Sequence, residues 1–152
     1  MKAIQYTLED VKIMRSDVRD HPMVFDEDFS SDDVSIDINI DFNYRDEYIQ
    51  NLLHIAYEYE TKDSNDNSEI GTIVLGHFDI LFTYGIKNYK DIFEDPKSKE
   101  LLLLNILRIS YATTRGIIFC ETRGFAINDF YLIPVSTKDL YNSYLTESVN
   151  VE

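Results

Sequence analysis

The stretch Val34–Tyr44, VSIDINIDFNY, decides the fold class. Val34, Ile36, Ile38, Ile40, Phe42 and Tyr44 are apolar, and serine, aspartate or asparagine stands at every position between them. Successive side chains on a strand point to opposite faces, so this pattern buries one face of an antiparallel strand and wets the other. The neighbouring segments read the same way. From Gln50 to Lys62 the apolar positions Leu53, Ile55, Tyr57 and Tyr59 alternate, and KDSNDNS then turns the chain back. The returning segment, about 70–86, has Ile73 and Leu75 on odd positions but Phe78, Ile80, Phe82, Tyr84 and Ile86 on even ones. A bulge at Gly76-His77 is expected to reset the facing. Upstream, Ile4, Tyr6 and Leu8, then Val11 and Ile13, predict a strand over about 4–16 with a change of phase near Glu9-Asp10. A four-stranded antiparallel sheet, with strands about 4–16, 34–44, 50–62 and 70–86, is the expected frame.

After Asp95-Pro96 the period changes to that of a helix, about 97–123. Leu101, Leu104, Arg108, Ala112, Arg115 and Phe119 follow one row, and Leu103, Ile106, Ile109, Thr113, Ile117 and Cys120 another. Two apolar rows exceed what one sheet face needs, so part of this surface is expected to meet another subunit. Thr-Arg-Gly occurs twice, at 114–116 inside the pattern and at 122–124 at its end. Gly124 suits a left-handed helix cap, whereas Gly116 is placed for close packing or a kink. A strand hairpin over GIIFCETRGFAI is the competing reading. Pro134 blocks helix through FYLIPV, and a short helix, about 137–146, follows with Ser136 or Thr137 as its cap. The class is α+β, a four-stranded antiparallel sheet packed with one long helix and a short C-terminal helix.

The chain has 152 residues, which suits one domain spanning 1–152. Its formal charge is -14, so phosphate backbones are repelled and no nucleic-acid partner is expected. One cysteine, Cys120, forms no internal disulfide, and the first residues lack the apolar core of a signal peptide, which points to the cytoplasm. The longest apolar run, LLLL from Leu101, is too short to insert in a membrane. No P-loop, dinucleotide fingerprint or zinc-ligand spacing occurs, and GTIVLG lacks a phosphate-binding lysine, so no cofactor and no metal are expected. His21, His54 and His77 show no paired spacing and read as structural histidines. Asp37, Asn39 and Asp41 share a strand face that reads as solvated; as a pair of acid-base carboxylates, Asp37 and Asp41 would make a small enzyme. Cys120 reads as a buried, inert thiol.

The acidic segment 16–33, SDVRDHPMVFDEDFSSDD, has neither period and reads as a long loop carrying Phe25 and Phe29. With TRGFAINDFYLIPVSTKDLY at 122–141, HPMVFDEDF at 21–29, DILFTYGI at 79–86 and NIL at 105–107, the chain resembles the bacterial SecB family of protein-export chaperones and their SecB-like relatives. The resemblance covers nearly the whole chain. It implies a homo-oligomer, a dimer or a dimer of dimers, that binds unfolded or partly folded polypeptides in hydrophobic grooves without ATP, and is not an enzyme. It implies delivery of clients to the secretion motor ATPase, or, in some relatives, protection of an antitoxin. By motif position, client binding falls to Phe25, Phe29, Ile86, Leu132 and Tyr141. Ile73, Leu75 and His77 fall on a strand that supports subunit assembly. Family members dock the motor through acidic positions on the sheet; the matching position here is Val74, and the loop has no tryptophan. A diverged SecB-like protein fits these departures better than a standard exporter; a dedicated interaction protein, such as an antitoxin-specific chaperone or a scaffold, is the alternative.

Overall fold

In the computed structural model, which describes residues 4–22, 29, 31–60, 71–129, 132 and 134–149, the four alternating segments are long strands. They are β1 (Gln5–Val18), β2 (Val34–Arg45), β3 (Tyr48–Glu60) and β4 (Thr72–Lys87), paired antiparallel in the order β1-β4-β3-β2. Three helices follow: α1 (Tyr89–Glu94), α2 (Pro96–Glu121) and α3 (Thr137–Val149). The architecture is α+β, as the two hydrophobic periods require. The short α1 has no counterpart in the sequence reading. It starts after Asn88, whose backbone is left-handed at φ 57, and stacks Tyr89 on Phe93 with ring centroids 4.1 Å apart.

The register explains the two phase changes. On β1 the pairing with β4 slips between Leu8 and Asp10, where expected, and again between Ile13 and Arg15, which carries the strand on to Val18. On β4, Tyr57 pairs with Gly76 and Glu58 with Val74, so Leu75 is the extra residue. The bulge therefore lies one position before the expected Gly76-His77. Gly76 is needed there because a Cβ would stand 2.8 Å from Ile127 Cδ1.

Ile49, Leu53, Ile55 and Tyr57 of β3 and Phe78, Ile80, Phe82 and Tyr84 of β4 are fully buried beneath the helices. The helix α2 is capped as its sequence requires: the Asp95 carboxylate accepts the Ser98 backbone N–H (3.3 Å) and hydroxyl (2.5 Å), and Pro96 opens the first turn. Gly124, at φ 91, follows its last turn, and 116–121 of GIIFCETRGFAI (116–127) belong to α2, so the hairpin reading is removed. By length and composition α2 is long and apolar enough to cross a membrane. Its inner face, however, is packed on β3 and β4, as in a core helix.

That inner face is neither of the two predicted rows. It runs through Leu102, Leu103, Ile106, Leu107, Ser110, Tyr111, Thr114 and Ile118. Ser110 and Thr114 disguised it, because a polar residue at a core position reads as a solvent position. Ser110 is accommodated by a 2.9 Å hydrogen bond between its hydroxyl and that of the buried Tyr84. The row Leu101, Arg108, Ala112, Arg115, Phe119 is instead on the outside, and so are Gly116 and Cys120. The expectation of a buried Cys120 is corrected accordingly: the thiol is exposed.

Candidate functional site

One end of the sheet gathers several connections. There β1 ends, β2 begins, β3 ends and β4 begins, as the pairs Val34–Tyr59, Tyr59–Ile73 and Val18–Gly76 show. The C-terminal turns of α2 and the chain that leaves it are tied to this end. Ser16 donates its hydroxyl to the Glu121 carboxylate at 2.9 Å, the Ala126 N–H donates to Asp20 Oδ1 at 3.0 Å, and Ile127 sits buried over Gly76.

Along the outer side of these turns lies a cleft of about 330 Å³ lined by Ala112, Arg115, Gly116, Ile118, Phe119, Thr122, Asn128 and Leu132. This is the low end of the roughly 300–1,000 Å³ usual for ligand pockets. The two Thr-Arg-Gly triplets build it. Arg115 Nε donates to the Leu132 carbonyl at 2.7 Å, holding the chain beyond the helix against α2. Gly116 has nothing within 4 Å of where a Cβ would stand, which keeps the cleft open and excludes the close packing expected at this glycine. At the second triplet, the Thr122 hydroxyl donates to the Ile118 carbonyl at 2.8 Å and Gly124 turns the chain back. Phe119 is 49% exposed at the mouth, and Phe125 next to Gly124 is 38% exposed. Apolar walls with an arginine and an amide suit an extended chain, whose side chains want the former and whose backbone carbonyls want the latter.

The expected client-binding residues do not form one surface. Phe25 lies outside the described residues. Phe29 is half-buried and packs its ring on Tyr59, with centroids 5.0 Å apart, at the gathered end of the sheet. Leu132 lines the cleft but is itself 4% exposed. Ile86, 5% exposed, is at the opposite end of the sheet, where it pairs with Tyr6. Tyr141, 8% exposed, is beside Tyr144, which packs edge-on against Phe42 of β2. In the isolated chain Ile86 and Tyr141 are therefore core side chains, held there by the apolar area they bury. Of the expected assembly residues, Leu75 is buried, while Ile73 and His77 are partly buried. Sequence reasoning missed Phe119 and Gly116 as a site because it placed the whole row by hydrophobicity. The signal available was the run of small residues Ala112, Thr113 and Gly116 beside a phenylalanine.

The opposite, helix-free face of the sheet carries the charged positions. Asp37 and Asp41 are exposed there, with Asp37 accepting a hydrogen bond from the Asn39 amide at 2.8 Å. Val74 is 46% exposed beside Arg15, Arg19 and His77. Two of the histidines, which show no paired spacing in the sequence, meet on this face: His54 Nδ1 lies 2.7 Å and His77 Nε2 3.1 Å from the same oxygen of Asp79. Comparison of the chain with protein-family models and with curated proteins gives no match.

Proposed function

We propose that the protein is an ATP-independent chaperone that holds unfolded or partly folded polypeptides in the cleft along the outer side of α2. The observation that carries this reading is the exposed Phe119 at the mouth of an open, largely apolar cleft whose floor is kept clear by Gly116. Apolar contact is non-directional, so such a cleft accepts many side chains. Phe29, half-buried against Tyr59, is a further aromatic that clients would use, and Phe25 is a candidate on its sequence position alone. The net charge of -14 keeps an apolar surface soluble and draws basic segments. Phe119 is 49% exposed, so client contact has about half of a full phenylalanine burial left to gain. That is roughly 1 kcal/mol, or about fivefold in affinity. One such contact is weak, and useful affinity comes from several clefts on a homo-oligomer. The outward Leu101 and Ile109, both more than a third exposed, supply apolar surface for its assembly.

A second reading is favoured by the surface around Val74. Docking the basic tail of a secretion motor calls for carboxylates, yet the cleft beside Val74 contains Arg15 and Arg19, and its one carboxylate, Asp17, is paired with Arg15 at 2.6 Å. This argues for a dedicated chaperone, for example of an antitoxin, over a general exporter.

The test is fluorescence anisotropy of a labelled, permanently unfolded polypeptide, without nucleotide. The wild-type chain should bind it, and Gly116→Leu with Phe119→Ser should weaken binding about tenfold or more with circular dichroism unchanged. Equal binding by the double variant would reject the cleft. Affinity purification from the native host separates the two readings, since a single stoichiometric partner contradicts a general client role.

A further inference from the structure

We propose that His54, His77 and Asp79 form a binding site for a borderline first-row divalent cation, of the Zn²⁺ class, on the helix-free face of the sheet, with Asp41 orienting His54. Three strands build it. His54 of β3 is the direct cross-strand partner of Asp79 of β4, and His77 stands two residues before Asp79, so all three side chains leave the same face. Their ligand atoms lie within 4.8 Å of one another. The side chains are 35%, 28% and 21% exposed, which leaves an ion a path from solvent.

The distances fit a site that closes on an ion with small movements. Zinc–nitrogen and zinc–carboxylate bonds of about 2.0–2.2 Å in a tetrahedron put ligand atoms roughly 3.3 Å apart. The two nitrogens stand 2.7 and 3.1 Å from Asp79 Oδ1, so these two separations have to open by only a few tenths of an ångström, and the two nitrogens lie within 4.8 Å of each other. Two imidazoles and one carboxylate select zinc-like ions over calcium and magnesium, which prefer oxygen.

Asp41 supplies the second argument. His54 faces carboxylates from both nitrogens, Asp79 at Nδ1 and Asp41 Oδ2 at Nε2, 3.4 Å away. A neutral imidazole has one N–H, so a neutral ring here aims a lone pair at an oxygen on one side. A cation between Nδ1 and Asp79, with Nε2–H turned to Asp41, removes that repulsion and reproduces the carboxylate–histidine–metal arrangement of metal centres. Arg15, the register partner of Asp79 on β1, would compete for its carboxylate, but its guanidinium is engaged with Asp17 at 2.6 Å. With three protein ligands, a fourth position is left to water on the open side.

The experiment is calorimetric titration of the purified, chelator-treated full chain with Zn²⁺ alone. One equivalent should bind with micromolar or tighter affinity, while Mg²⁺ and Ca²⁺ give no heat. His54→Ala, His77→Ala and Asp79→Asn should each lower the affinity at least about tenfold, Asp41→Asn about 10–100-fold, and His21→Ala not at all. Binding should weaken in acid, because the ligating imidazoles must give up their protons. Ring ¹⁵N shifts of the wild-type histidines supply a readout independent of any variant's folding: His54 and His77 should move on addition of Zn²⁺ and His21 stay. Absence of saturable binding, or movement of His21 instead, overturns the site.

Discussion

Gly116→Ala is expected to stabilise the protein, and the size of the effect follows from its surroundings. Glycine within a helix is about 0.8–1 kcal/mol worse than alanine because it has more backbone freedom to lose. Usually a glycine tolerated in a helix is there because something packs against it. At Gly116 nothing lies within 4 Å of an added Cβ, so no overpacking offsets the gain. The net expectation is about 1 kcal/mol, or a rise in Tm of roughly 2–4 °C for a chain of this size. Gly76→Ala makes the contrast: its Cβ would stand 2.8 Å from Ile127 Cδ1 and 3.2 Å from Phe78 Cε2. The tip of Ile127 can yield but the buried Phe78 cannot, so a loss of about 1–3 kcal/mol is expected. Urea denaturation followed by circular dichroism, at fixed protein concentration and with mass measured in parallel, reads both. Gly116→Leu then adds the decisive arm, because it places a larger side chain in the cleft without entering the core. It should keep the stability gain and lose polypeptide affinity. If Gly116→Ala destabilises the chain or breaks an oligomer, Gly116 faces a second copy of the protein and the cleft reasoning is wrong.

Three further outcomes are expected. Tyr84→Phe removes the hydroxyl that meets Ser110 Oγ at 2.9 Å and should cost about 0.5–1.5 kcal/mol in urea denaturation; an unchanged midpoint would show that this buried bond contributes nothing. The Ser98 hydroxyl, donating to Asp95, holds that carboxyl below its ordinary 3.8, so its contribution is complete above pH 4 and fades as pH falls through the lower, folded-state value. Asp95→Ala should therefore lower Tm near neutrality and converge on the wild type in strong acid, and a difference independent of pH would contradict the cap. Burial pushes Tyr57, Tyr84 and Tyr111 up to about 12, so stability is intact below pH 10, the unfolded-state value, and is lost between 10 and 12. Tyrosinate absorbance should show these rings ionising together with unfolding; ionisation of all eleven tyrosines near pH 10 in a folded chain would refute their burial.

The sheet was legible because each strand has one dry and one wet face, and a period of two survives every local irregularity except a bulge. VSIDINIDFNY needed only its alternation. The β1 bulge near Glu9-Asp10 was legible for the same reason, as was the β4 bulge to within one residue. The helix was legible in extent but not in rotation. Its core face includes Ser110 and Thr114, and its exposed face includes Leu101, Ile109 and Phe119, so hydrophobicity alone points the wrong way. The histidine cluster was invisible for a different reason. His77 and Asp79 are two apart, but His54 joins them only through the β3–β4 register, a long-range fact that no local spacing encodes.

What turns Phe119 outward is thus not its own chemistry but the rotation that the rest of α2 imposes, through its buried aliphatics and the Ser110–Tyr84 contact about two and a half helical turns away. Each residue advances the helix by 100°, so rolling α2 by one position would carry Phe119 toward the place of Ile118 and remove Ser110 from Tyr84. The roll would bury more phenylalanine surface, which hydrophobicity favours by roughly 1 kcal/mol given that Phe119 is 49% exposed. Against it stand the exposure of Leu102, Ile106 and Ile118, now between 0% and 4% exposed, and the loss of the Ser110 partner for the buried Tyr84 hydroxyl. Each large aliphatic is worth about 1.5–3 kcal/mol and the orphaned Tyr84 hydroxyl about 1–3 kcal/mol, so the observed rotation wins by several kcal/mol. The margin lets the chain keep an exposed aromatic at the mouth of an open cleft without the core drawing it in, and a holding surface for foreign chains needs that property.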